Sequence, residues 1–131
     1  MNTYIIVIGI VQHQSKILLL KRTKERDTSP CKWQTVSGYI HEREAVETAV
    51  LREVKEETQL DGTIIRAGKL FEVEDSWGRW IILPFLIAVK SSRVKIDTKE
   101  HSEHQWVTLS DIEQFDGVAG LKQDFKSVGL L

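Results

Sequence analysis

Gly38-Tyr39-Ile40-His41-Glu42-Arg43-Glu44, then Ala45 to Leu51, then Arg52-Glu53-Val54-Lys55-Glu56-Glu57-Thr58-Gln59-Leu60 is the stretch that decides how this chain is read. Six acidic side chains crowd into it. From Glu44 to Thr58 there is no Gly or Pro, and Ala, Glu, Leu, Arg and Lys abound, so the segment is expected to be helical. At about 100° per residue, Val46, Ala49, Val50 and Leu60 share one stripe, and Glu53, Glu56 and Glu57 extend the same stripe. An ordinary amphipathic helix puts apolar residues there and carboxylates opposite. The core-facing stripe is therefore expected to turn acidic partway along.

Such an arrangement is costly without a counter-charge. Two carboxylates roughly 6 Å apart repel by about 3 kcal/mol at an effective dielectric near 20. Three of them, partly desolvated, take up protons or hold a cation. Hard divalent ions such as Mg²⁺ or Mn²⁺ prefer carboxylate oxygens. They acidify bound water, and phosphate oxygens can complete their shell. The plain competing reading is a solvated acidic helix surface.

The spacing of Gly38, five residues, Glu44, seven residues, and Arg52-Glu53-Val54-x-Glu56-Glu57-x-x-Leu60 resembles the Nudix box of the Nudix hydrolases. Members of that family cleave a nucleoside diphosphate joined to another group. Every fixed position is matched except the Gly that usually precedes the last apolar residue, where this chain has Gln59. A Gly there would end the helix in the left-handed conformation at no steric cost. With Gln59, either the helix ends differently or the turn carries about 1 kcal/mol of strain.

The resemblance implies a role for each matched position. Glu53, Glu56 and Glu57 would be metal ligands, and the Gly38 backbone would approach the metal or phosphate. The fork of Arg52 would orient a carboxylate, where its plain reading is a surface pair worth a few tenths of a kcal/mol. Glu44, at the helix start, is expected to serve structure. The run Glu100-His101-Ser102-Glu103-His104-Gln105-Trp106-Val107 resembles the late loop and strand that supply an extra catalytic Glu, so Glu100 and Glu103 join the box carboxylates as candidates for general base. In so polar a loop, His101 and His104 are expected to be solvated. Ile17 to Arg22 and Trp33 to Gly38 also resemble family strands, so most of residues 4 to 113 is covered.

Around the box the pattern is mixed. Strands are expected at Tyr4 to Gln12, Lys16 to Arg22, Trp33 to Ser37, Gly62 to Glu74, Arg79 to Val89 and Gln105 to Leu109. Asp75-Ser76-Trp77-Gly78 reads as a hairpin tip. Ser110 is expected to cap a short turn over Asp111 to Glu113, and Asp116 to Val128 to form a final helix weakened by Gly117 and Gly120. The fold class is α/β, which the resemblance sharpens to a Nudix-type α/β/α sandwich with a mixed sheet and a loop-helix-loop motif. One domain is expected over residues 1 to 131.

Composition narrows the function further. A hydrophobic fraction of 41% and a formal net charge of −1 argue against nucleic-acid binding by bulk electrostatics. The lone Cys31 suggests a reducing compartment, and no apolar run reaches membrane-spanning length, so a cytoplasmic protein without a membrane partner is expected. The partner is then a small nucleotide, with Lys21, Arg22 and Lys32 available for phosphates and Trp77 or Trp80 for stacking on a base. Phe71 and Phe85 belong by alternation to the core.

The resemblance implies Mg²⁺ (or Mn²⁺) as cofactor and admits a homodimer. The segment Glu74 to Arg79 carries neither the Pro nor the Tyr that marks the ADP-ribose and dinucleoside polyphosphate branches. Trp33 to Gly38 with Glu100-His101 and Trp106 is similar to the dihydroneopterin triphosphate pyrophosphatase branch. The leading expectation is hydrolysis of a nucleoside or pterin triphosphate. A Nudix-fold module that senses a nucleotide without cleaving it is the alternative, and a purely structural metal-binding protein is a third.

Overall fold

The computed structural model describes residues 1–131. The strands are β1 (Asn2–His13), β2 (Lys16–Arg22), β3 (Trp33–Gln34), β4 (Val36–Tyr39), β5 (Gly62–Ala67), β6 (Phe71–Glu74), β7 (Gly78–Val89) and β8 (His101–Val107). The helices are α1 (Val46–Thr58), a 3₁₀ turn at Leu109–Gln114 and α2 (Leu121–Ser127). The sheet is mixed. β1 and β7 run parallel over their whole length, and every other pair is antiparallel.

Both faces of β1 are apolar, as a strand covered on both sides requires. Val7 and Val11 point toward α1 and meet Ala49, Val50 and Val54 in one core cluster. Ile8 and Ile10 point the other way and meet Leu121, Phe125 and Val128 in a second. The sheet is thus the middle layer of an α/β/α sandwich. No helix is long and apolar enough to cross a membrane.

The sheet forks at β1. The end of that strand, at Gln12 and His13, pairs with β2, whereas Ile6 to Gly9 pair with β4. β2 meanwhile turns to pair with β3 and β8. The short strands β3 and β4 fill the fork and carry the chain from Trp33 into Gly38.

Several expected boundaries shift for physical reasons. Gly62 to Glu74 is not one strand. It breaks at Gly68, whose N–H bonds Pro84 O at 2.8 Å while Lys69 N–H bonds Ser127 O at 2.8 Å. Pro84 has no N–H to return, and the end of α2 lies against the break. β8 begins at His101, four residues earlier than expected, because its polar residues lie along the free edge of β2 and need no apolar alternation. Thr108, not Ser110, precedes the 3₁₀ turn. The final helix starts only at Leu121, since Gly120 stands at φ 85° in the left-handed region. The segment before it lies along β3 instead: Trp33 N–H bonds Asp116 O at 3.0 Å and Val118 N–H bonds Trp33 O at 2.9 Å.

Candidate active site

Helix α1 carries the acidic residues of the decisive stretch, but its buried stripe is Ala49, Val50, Val54, Glu57 and Thr58. Glu56 lies off that stripe, about 120° round the helix from Val50. Its side chain is 55% exposed, against 13% for Glu53 and 5% for Glu57. The acidic stripe therefore holds two carboxylates, not three.

Arg52 fastens the start of this assembly. Its Nε and Nη2 donate to the two oxygens of Glu44 at 2.7 and 2.9 Å. Nη1 donates to Glu53 at 2.9 Å and to Glu56 at 3.2 Å, and Nη2 also reaches the Tyr39 carbonyl at 3.0 Å. Such paired, charge-assisted bonds fix geometry as well as charge. The Arg52 bonds hold the Glu44 carboxyl down at about 2, helped by the His41 amide. Glu44 is thus a tether between the loop and the helix.

Gly38 brings strand and helix together. A Cβ at this position would overlap the Glu53 carboxylate as it stands, so a larger residue would push that carboxylate out of its place. At the far end of α1, Gln59 adopts φ 62° and ψ 17°, so the helix ends in the left-handed turn despite the missing Gly.

Behind Glu53 lies the most unusual group. Glu57 is almost wholly buried, and neither of its oxygens has a hydrogen-bond partner of normal geometry. Burial, then the neighbouring Glu53, push its carboxyl well above the usual range, with only a weak opposing pull from the Ser37 amide. Burial also raises Glu53, although Arg52 opposes it. A buried carboxylate without a partner is strongly disfavoured, so this pair must carry a proton or a cation. The two bare oxygens of Glu57 beside Glu53 fit the hard, oxygen-seeking character of Mg²⁺ or Mn²⁺.

His101 corrects the expectation of a solvated histidine. It is fully buried, with Nε2 3.7 Å from Glu57 Oε1 and neither ring nitrogen hydrogen-bonded. Burial, with Arg26 and Arg22 nearby, lowers its pKa to about 4, so the ring is neutral at pH 7. His104 is exposed as expected. The sequence offered little to separate the two, because both sit in one polar run. Only the register of β8 against β2 turns His101 inward.

A cavity of about 330 Å³ opens beside Glu53 and Gly38, within the range of small-ligand sites. Arg22, Trp80 and Glu100 line it; Lys21, Glu103 and Trp77 do not. Arg22 is buried and engaged with the Thr28 carbonyl, the Thr28 hydroxyl and Gln34. Lys21 and Glu103 pair with each other on the outer strands at 3.4 Å. Lys32 is likewise spent on Asp116, at 2.7 Å. Trp77 is half-exposed at the hairpin tip, while Trp80 stacks on Tyr4 with ring centroids 4.5 Å apart. Glu100 is half-exposed at the rim and accepts from Arg26 at 3.2 Å. Thr35 and Asp124, which sequence reading missed, also line the cavity. Phe85 is in the core, and Phe71 packs partly buried against it.

Comparison with known proteins places this geometry. The chain is 25% identical over 136 residues to the nucleoside triphosphatase NudI of Klebsiella pneumoniae (strain 342), covering 96% of each. Its fold is that of a MutT NUDIX hydrolase from Burkholderia pseudomallei (22% identity, 98% of this chain and 99% of that one, TM-score 0.81). It is equally that of the NUDIX domain of Shewanella oneidensis NrtR, solved with ADP ribose (20% identity, 97% and 86%, TM-score 0.81). Residues 3–126 match the NUDIX domain, and with the carboxylate-bearing helix and its glycine lead-in in place, this chain belongs to the Nudix hydrolase family.

Proposed function

We propose that this chain is a divalent-metal-dependent pyrophosphohydrolase acting, as one catalytic domain, on a nucleoside triphosphate or a related nucleoside diphosphate derivative. The observation that carries this reading is Glu57, a buried carboxyl with two bare oxygens set behind Glu53. A purely structural helix has no use for that pair. The likeness to a nucleoside triphosphatase supports the substrate class.

Glu53 and Glu57 would hold Mg²⁺ (or Mn²⁺), with the Gly38 backbone alongside and Glu56 able to swing in from the surface. The bound ion would neutralise phosphate oxygens and acidify water. The chain's own residues do the remainder. Arg52 is a positioning residue that keeps Glu53 and Glu56 aimed. Arg26 at the cavity rim suits phosphate charge, and Arg22 braces the wall. Glu100 is best placed to take a proton from water, since it is exposed at the rim and bound only by Arg26. Glu103, turned to Lys21, is the weaker candidate.

The test is phosphate and pyrophosphate release from a panel of nucleoside and pterin triphosphates, with and without Mg²⁺. Wild type should be active only with the ion, and Glu53→Gln and Glu57→Gln should each lose at least about 100-fold in kcat. One observation favours the alternative of a binding module without hydrolysis: Glu56 leans to Arg52 and away from its fellow carboxylates. Tight nucleotide binding with no release above the Gln variants would decide for that alternative.

A further inference from the structure

One buried side chain beside the carboxylates has no task in the chemistry above. His101 and Glu57 are both almost wholly buried. No protein group makes a hydrogen bond of normal geometry to either ring nitrogen or to either carboxyl oxygen. The two face each other, with Nε2 3.7 Å from Glu57 Oε1. That gap is about 0.7 Å wider than an ordinary N–H···O bond. Two polar groups buried side by side without other partners are costly unless they answer one another.

An irregularity in the sheet aims the ring at Glu57. β8 pairs with β2 in regular alternation from Val107 opposite Ile17 to Glu103 opposite Lys21. Arg22 then pairs with His101, so Ser102 is an extra residue on β8. Trp106 and Leu18 share the α1 face of the sheet, and Val107 and Ile17 the α2 face. Unbroken alternation would put His101 in step with Val107, on the α2 face. The bulge moves it across, to the side where α1 carries Glu57. Its backbone is pinned there. His101 N–H bonds Asp97 O at 2.9 Å, and the preceding Glu100 carbonyl accepts from Thr23 N–H at 3.2 Å and from Arg26 Nη1 at 3.1 Å.

We propose that His101 is a positioning residue for Glu57, whose Nε2–H donates to Oε1 and so leaves Oε2 for the divalent ion. This deepens the metal-dependent reading and rests on it. Nε2 can donate whether the ring is neutral or charged, so the role needs no change of protonation. A ligating carboxylate whose second oxygen is held by a fixed donor keeps one orientation, and loss of such a donor typically weakens metal binding by about 10–100-fold. Arg52 holds Glu53 in this way, at 2.9 Å, and no side chain other than His101 is placed to do so for Glu57.

The experiment measures Mn²⁺ binding to the nucleotide-free protein as a Kd by calorimetry, with Mg²⁺-dependent hydrolysis followed in parallel. His101→Leu and His101→Asn should each weaken Mn²⁺ binding by about tenfold or more. His101→Gln, whose amide nitrogen reaches the place of Nε2, should stay within about threefold of wild type. Melting curves confirm that each variant is folded. The proposal is overturned if His101→Leu binds Mn²⁺ as tightly as wild type, or if His101→Gln binds it no better than His101→Asn. Wild type gives a reading that needs no variant: in ¹⁵N spectra with Mg²⁺ bound, the His101 ring should carry a proton on Nε2, and a proton on Nδ1 alone would overturn the proposal as well. Mg²⁺-dependent hydrolysis with Mn²⁺ affinities that ignore His101 sinks this inference alone. A Mn²⁺ site that depends on His101, without hydrolysis of any nucleotide, sinks the hydrolase reading and leaves this one standing.

Discussion

Glu57 and Asp124 are both buried carboxyls, and each leaves a thermodynamic mark. Glu57→Gln removes a carboxyl that burial and Glu53 both disfavour. Without metal it should therefore raise stability by about 1 kcal/mol, or roughly 3–5 °C in Tm, while abolishing the stabilisation that Mg²⁺ gives to wild type. Thermal melts with and without Mg²⁺ check both halves. Burial pushes the Asp124 carboxyl up to about 8, well above the ordinary aspartate range, so from about pH 4 to pH 8 the folded state binds a proton that the unfolded state has lost. Stability contributed by this group is then whole below about pH 4 and falls as pH rises toward 8. Urea titrations should show a flatter decline across that window for Asp124→Asn. At this scale the sequence was only partly legible. Glu53 and Glu57 stood out by helical spacing, because charged residues at fixed intervals leave a pattern, and Gly38 and Arg52 by the resemblance to the family box. His101, Thr35 and Asp124 left none, since what marks them is the tertiary surface they face.

Helix α1 shows how a local rule yields to its surroundings. Its apolar stripe was read without Val54, which made room for Glu56 among the buried carboxylates. The structure buries Val54 against Gly9 and leaves Glu56 outside. The helix end was left open between two outcomes, and Gln59 takes the strained one, with its N–H bonded to Lys55 O at 2.9 Å. Gln59→Gly should relieve that turn and raise stability by about 1 kcal/mol, measured by urea unfolding, with little change in activity. No change would mean that the chain around Asp61 and Gly62 holds the turn in place regardless. Long strands such as β1, β2 and β7 were legible because apolar runs covered on both faces are unambiguous. β8 and the start of α2 were not, because a polar edge strand and a glycine-broken segment carry no period.

Across the whole molecule the sheet separates two tasks. Its α1 face holds the acidic helix against Val7, Val11 and Ile87, and its α2 face closes the cavity. α2 spans only seven residues, too few to be stable alone, so Phe125 and Leu121 must dock it. Phe125→Ala should cost about 3–5 kcal/mol, seen in urea or heat, and should weaken ligand binding by loosening the wall that carries Asp124. A mixed sheet packed by helices was legible from the strand pattern, and its α/β/α layering from the family resemblance of the decisive stretch. The fork at β1 was not, since one strand pairing with two partners along one edge is invisible to periodicity.

The most direct test is anomalous diffraction from crystals soaked with Mn²⁺ and a nonhydrolysable nucleoside triphosphate analogue. A manganese peak bridging the carboxylates of Glu53 and Glu57 to phosphate oxygens is expected. A nucleotide bound in the cavity with no manganese at those two carboxylates would contradict the claim that they are buried in order to hold a catalytic ion.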